Sequence, residues 1–177
     1  MNSLKAIAIP LILLATIGFA LAMWYETLYV NVTVQTGEVK VEFSEWYCSD
    51  TGPDPQAEGF NNEEGKDVAN CSVSVEVEED GVVTKLAVSL DNAYPGYMVD
   101  IYLLIDNIGT IPVKLYDYIL NFDEPIYAEL IIPEDAQIDP GYSSTYILRI
   151  TIPQDAEELS TYYGELTLTF AQWNEVP

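Results

Sequence analysis

Histidine is absent from the 177-residue chain, cysteine occurs twice, and lysine and arginine number 6 against 29 aspartates and glutamates. Without histidine, the common zinc ligand sets, the serine–histidine triads and imidazole acid–base catalysis all lose their parts. The scarcity of basic residues excludes nucleic acid as a partner, since phosphate neutralisation by lysine and arginine supplies most of that affinity. Carboxylates are so numerous that a pair such as Asp123 and Glu124 carries no weight as a glycosidase acid–base pair. The sequence therefore points to no enzyme and to no cofactor. Helical periodicity is nearly absent beyond the first two dozen residues.

Residues 1–22 differ from the rest. Lys5 is followed by an apolar run of about nineteen residues, longer than most signal-peptide cores and near the roughly 20 needed to span a bilayer. It closes on Ala20-Leu21-Ala22, the small-residue pattern a signal peptidase reads, so the preferred expectation is an export segment cleaved after Ala22. A retained N-terminal anchor stays open as the alternative, although Pro10 and Gly18 disfavour it. Export makes the mature protein extracellular or cell-surface, with the membrane touched only through this segment. In that setting Cys48 and Cys71 read as a disulfide rather than a metal site. Such a bridge closes a loop of about two dozen residues and, by loop entropy, stabilises by roughly 3 kcal/mol.

Removing residues 1–22 leaves Lys40, Lys66, Lys85, Lys114 and Arg149 against the 29 acids, a formal charge of −24. Self-repulsion and solubility are the plain consequence. An acidic habitat, or divalent cations bridging chains, are the other settings such a charge fits. The acidic runs Glu63-Glu64-Gly65-Lys66-Asp67 and Glu78-Glu79-Asp80 supply oxygens of the kind calcium takes, but neither has the spacing of a dedicated loop.

From residue 23 onward apolar residues recur with period two, in runs rich in Val, Ile, Thr and Tyr. That is the pattern of half-buried strands, and it predicts one all-β domain over residues 23–177. Leu28, Val30, Val32 and Val34 share one face of the first run, with Tyr29, Asn31, Thr33 and Gln35 on the other. Alternation resumes at Val39, Val41 and Phe43, and again over residues 72–78, 82–90, 97–105, 113–122, 127–132, 145–152 and 162–173. Eight or nine short strands with turn residues between them predict a single β-sandwich. Residues 49–70, rich in Asp, Gly, Pro, Asn and Glu, read as a polar insertion loop. Pro95-Gly96 and Pro140-Gly141 each precede a strand and suit the centre of a type II turn. Asn107 and Gly109, in the connection 107–112, suit positive φ. Asn31-Val32-Thr33 and Asn70-Cys71-Ser72 are glycosylation sequons, which makes Asn31 and Asn70 candidate modification sites.

The segment 23–35 is too long for one sandwich edge, since about twelve extended residues span roughly 40 Å. It is either an ordinary first strand or a donor that adds to an open edge of another copy, with Trp24, Leu28, Val30, Val32 and Val34 as the interface residues.

The apolar export segment, Met23-Trp24-Tyr25, Thr36-Gly37-Glu38-Val39, the stretch 90–113 with Pro95-Gly96 and Asn107-x-Gly109, and the ending Phe170-Ala171-Gln172-Trp173-Asn174 together resemble the TasA/camelysin family of biofilm-matrix proteins. Within it the archaeal bundling pilus subunits are the nearest in pattern. The resemblance implies a jelly-roll-like sandwich and an extracellular fibre, in which the N-terminal segment of one subunit completes the sheet of the next. The partner so implied is the chain itself, in a head-to-tail homopolymer able to bundle laterally. Camelysin is described as a metalloprotease; without histidine that activity is not carried over. The cysteine-bounded insertion is no part of the family pattern. A membrane-anchored binding module that does not polymerise stands as the alternative. Mass spectrometry of the native N-terminus is expected to find a start near Met23, and an intact Met1 would favour the anchor.

Overall fold

The computed structural model describes residues 2–20 and 25–176. Internal contacts divide the chain into two units, residues 1–35 and 36–177. In the first, helix α1 runs Asn2–Ala20 with Pro10 inside it. Among the described residues no helix is long and apolar enough to cross a membrane. Ala22 and Trp24, the expected cleavage position and the first donor residue, lie outside the described residues. Residues 25–35 belong to no helix or strand. Alternation supplies two faces but no partner, and a strand exists only where another edge pairs with it.

In the second unit the alternating runs become nine strands among the described residues: β1 Val41–Cys48, β2 Asn70–Glu79, β3 Val82–Asp91, β4 Met98–Asn107, β5 Val113–Phe122, β6 Tyr127–Ile131, β7 Gln137–Ile138, β8 Ser143–Thr151 and β9 Gly164–Gln172. They form an all-β sandwich from a four-stranded sheet β1-β4-β8-β6, a three-stranded sheet β7-β5-β9 and a hairpin β2-β3, with every pairing antiparallel. The two-residue β7 carries no alternation that a sequence can display, and it was not expected.

The core lies on the inner face of the four-stranded sheet. On β4 the buried positions are Val99, Ile101, Leu103 and Ile105, in strict alternation with half-exposed neighbours. β8 adds Tyr146, Leu148 and Ile150, and Val113 of β5 and Ile138 of β7 are buried with them. The outer face of this sheet carries the Tyr47–Tyr102 stack, with centroids 4.6 Å apart, and the two-point Asp100–Arg149 pair at 2.7 and 2.8 Å.

The turns follow the residues closely. Gly96 and Gly141 sit at φ +90° and +79°, and Tyr97 and Tyr142 donate their N–H to the carbonyls of Tyr94 and Asp139 at 3.0 Å. These are the expected Pro-Gly type II turns. The 107–112 connection differs from expectation, because neither Asn107 nor Gly109 takes positive φ. A Cβ on Gly109 would stand 2.4 Å from the Glu38 carbonyl oxygen, so glycine is required there by close backbone approach. Asn107 is fully buried; its amide donates to the carbonyls of Ile111 and Ile138 at 2.9 and 2.8 Å, and its Oδ1 accepts from the Gly109 N–H at 3.0 Å. The same connection ties down residues 38–40: Glu38 and Thr110 exchange bonds, and Ile108 and Gly109 both donate to the Lys40 carbonyl.

Replacing Asn107 by Ala leaves two buried carbonyls short of a donor. The expected loss is about 1–3 kcal/mol, since an unsatisfied buried polar group costs its full desolvation. Urea unfolding of the variant against the parent measures it.

Candidate functional site

The hairpin and the three-stranded sheet have outer strand edges without a neighbour, those of β3 and β9 among them. Among the described residues β3 pairs only with β2, and β9 only with β5. The Lys85 ammonium on β3 is held above the ordinary lysine value by its hydrogen bond to Glu76 and by the charges of Glu76 and of Glu165 on β9, with burial opposing. β3 and β9 each carry, along the free side, a row of N–H and C=O groups that belong to no ladder among the described residues.

Both strands carry apolar faces. Cys71, Val73, Leu86 and Leu90 of the hairpin pack against the core. Leu166, Leu168 and Phe170 face inward from β9, and Phe170 meets the Tyr146 ring edge-on at 5.8 Å between centroids. Yet Val75, Val77 and Val88 remain 40%, 36% and 37% exposed, unlike the buried residues of β4 and β8. Natural sheets blunt such edges with charge, proline or bulges. Between Leu166 and Phe170, β9 has only threonine between its apolar residues.

The expected donor residues have the complementary property. Leu28, Val30, Val32 and Val34 are 86%, 84%, 76% and 80% exposed, and residues 25–35 make no hydrogen bond among the described residues. Asn31 is exposed in the same segment, and Asn70 is exposed at the first position of β2. Of the residues singled out from sequence, the structure brings together Cys48 and Cys71, which form the disulfide with Cα atoms 6.1 Å apart. The bridge joins the end of β1 to the start of β2. The apolar residues on β3 and β9 were legible as strand faces, but their pairing, and hence their open edges, was not.

The acidic segments build no ion site: among the described residues no group of three His, Cys, Asp or Glu side chains is placed to hold a metal ion. Asp123 accepts the Tyr163 N–H at 2.9 Å and thereby shapes the turn after β5. The insertion loop is more than a solvated decoration, because its Asp54 is buried. That carboxylate accepts the Val68 N–H at 3.0 Å on both oxygens and the Ala69 N–H at 3.1 Å. Burial pushes its pKa up, but the backbone bonds and the Tyr94 hydroxyl outweigh this and hold it below the ordinary carboxylate value. A wholly apolar pattern search passes over such a residue, since Asp54 sits in a run that reads as surface.

Comparison with protein-family models, curated proteins and solved structures finds no match.

Because folding lowers the Asp54 pKa, its contribution to stability is complete above the unfolded-chain value and is lost as pH falls through the folded value. Urea midpoints measured between about pH 6 and about pH 2.5 are expected to drop further for the parent than for Asp54→Asn, the difference being the part this carboxylate carries.

Proposed function

We propose that the chain is a structural subunit of an extracellular filament, joined head to tail by residues 25–35 of one copy lying between the open edges of β3 and β9 of the next, the β3–β9 slot of this reading. The observation that carries this reading is the exposed, unpaired, alternating ribbon: four large apolar side chains at every second position of a segment whose backbone has no ladder of its own. The slot offers what such a ribbon needs, namely two open edges for its main chain and an apolar floor for Leu28, Val30, Val32 and Val34. Strand addition of this kind takes affinity from backbone bonds and register from alternate side chains.

Magnitudes support it. Burying four Val or Leu side chains gains roughly 6–12 kcal/mol. Association costs about 4–15 kcal/mol in lost freedom, so apolar burial alone is near break-even. Ladder bonds on both sides of the ribbon, each contributing about 0.5–1.5 kcal/mol net, tip the balance toward assembly. The contact is heterologous and open, and repeats without closing. The resemblance to TasA/camelysin proteins and the archaeal bundling pilus subunits agrees with this arrangement. A disulfide in a chain that begins with an export-type segment agrees with an extracellular location. The negative surface opposes lateral bundling at neutral pH, so bundling is proposed to need protons or divalent cations.

Deleting residues 23–35 is expected to give a folded chain that stays monomeric in sedimentation at concentrations where the parent forms fibres. A synthetic peptide of residues 24–35 should then raise its unfolding temperature, and the same peptide with Val30→Asp and Val32→Asp should not. Fibres formed by the deleted chain would refute the proposal.

A further inference from the structure

The hairpin that makes one wall of the slot is weakly joined to the rest of the sandwich. β2 and β3 form a sheet by themselves, and among the described residues no ladder links them to β1 or to β9. A lone two-stranded hairpin is marginally stable in water. What fixes this one lies at its root. The Cys48–Cys71 bridge holds the first turn of β2 to the end of β1. Just before it, Ala69 is buried and Val68 is held by Asp54, while the Asn92 amide donates to the Val68 carbonyl at 3.0 Å. Toward the tip, at the Asp80-Gly81 turn, these restraints are absent among the described residues, and Val75 and Val77 are partly open to solvent. The hairpin is thus bonded at its root, while beyond it only packing, of Val73 and Leu86 on the core, holds it to the sandwich.

We propose that closure of the Cys48–Cys71 disulfide licenses the slot for strand capture, so that a reduced subunit is folded but cannot polymerise. This rests on the strand-donation reading and adds its control. The bridge is the sole covalent tie between the β1 layer and the hairpin apart from the chain itself, and it sits in the row Cys71–Leu90 that begins the slot floor. With it, the open edge of β3 is kept beside β9; without it, β3 swings on the loop 49–69. A donor needs both edges at once, because either edge alone supplies only half of its ladder. The chemistry is thiol–disulfide exchange. A small-molecule disulfide takes up two electrons and two protons as its S–S bond breaks into two thiols, while the Cys48 and Cys71 thiols give up those two electrons and two protons and form the S–S bond.

The experiment uses the full chain, reduced with dithiothreitol and freed of reductant under argon, and in parallel the Cys48→Ser/Cys71→Ser double variant. Assembly rate is read by light scattering and fibres by electron microscopy. Amide hydrogen exchange reports separately on the hairpin and on β4 and β8. Expected are an assembly rate at least tenfold lower in both samples, faster exchange across residues 72–90, unchanged protection in β4 and β8, and recovery of the reduced parent on adding glutathione disulfide. A smaller loss of rate would overturn the proposal. So would loss of β4 and β8 protection, which would make the bridge a staple of the whole sandwich rather than of the slot. The chain lacking residues 23–35, with its bridge intact, keeps the two ideas apart: its failure to polymerise upholds strand donation whatever the reduced protein does.

Discussion

A β-strand with one neighbour leaves every second N–H and C=O along its free side without a protein partner, and β3 and β9 both do so. Water satisfies those groups, but it cannot also cover apolar side chains left open beside them, such as Val88 of β3, without cost. One segment with an apolar face, added between two such edges, would meet both demands together, and that is the role proposed for residues 25–35, whose Leu28, Val30, Val32 and Val34 are exposed. The rest of the molecule bears on how β3 and β9 are held.

Around the slot, the sandwich divides its labour. The four-stranded sheet carries the core, with alternating buried positions on β4 and β8 and a fully buried Asn107 that joins β4 to the carbonyls of Ile111 and Ile138. The second layer is split into two sheets. Its two parts are held over the first by different means: the three-stranded sheet by packing of β5 and β9 on the core, the hairpin by packing, the disulfide and the loop that Asp54 braces. The strong negative charge sits on this frame as a solvated surface, with three ion pairs among the described residues, at Lys66, Lys85 and Arg149.

Much of this was legible in the residues, and the parts that were not share a cause. Alternation located the strands because side chains on a pleated backbone change face at every residue. The Pro-Gly pairs located two turns because φ is fixed by proline and freed by glycine. The disulfide followed from two cysteines with no histidine beside them. What alternation does not encode is which edge pairs with which. Residues 28–34 alternate as well as residues 99–105, yet only the latter are in a sheet. The open edges of β3 and β9 were hidden for the same reason. Buried polar residues were the other gap: Asp54 and Asn107 lie among Asp, Gly, Pro and Asn and read as loop or turn, and only the fold reveals the backbone groups they serve. Gly109 was singled out for its freedom of φ, whereas the structure requires it because the Glu38 carbonyl passes too close for a side chain.

The central claim is that the ribbon and the slot meet in the assembled material, and amide hydrogen exchange of assembled fibres against free subunits tests it most directly. The account predicts strong new protection in residues 27–35 together with the β3 and β9 amides that face the slot, and little change in β4 and β8. Fibres in which residues 27–35 exchange as fast as in the free subunit would contradict it.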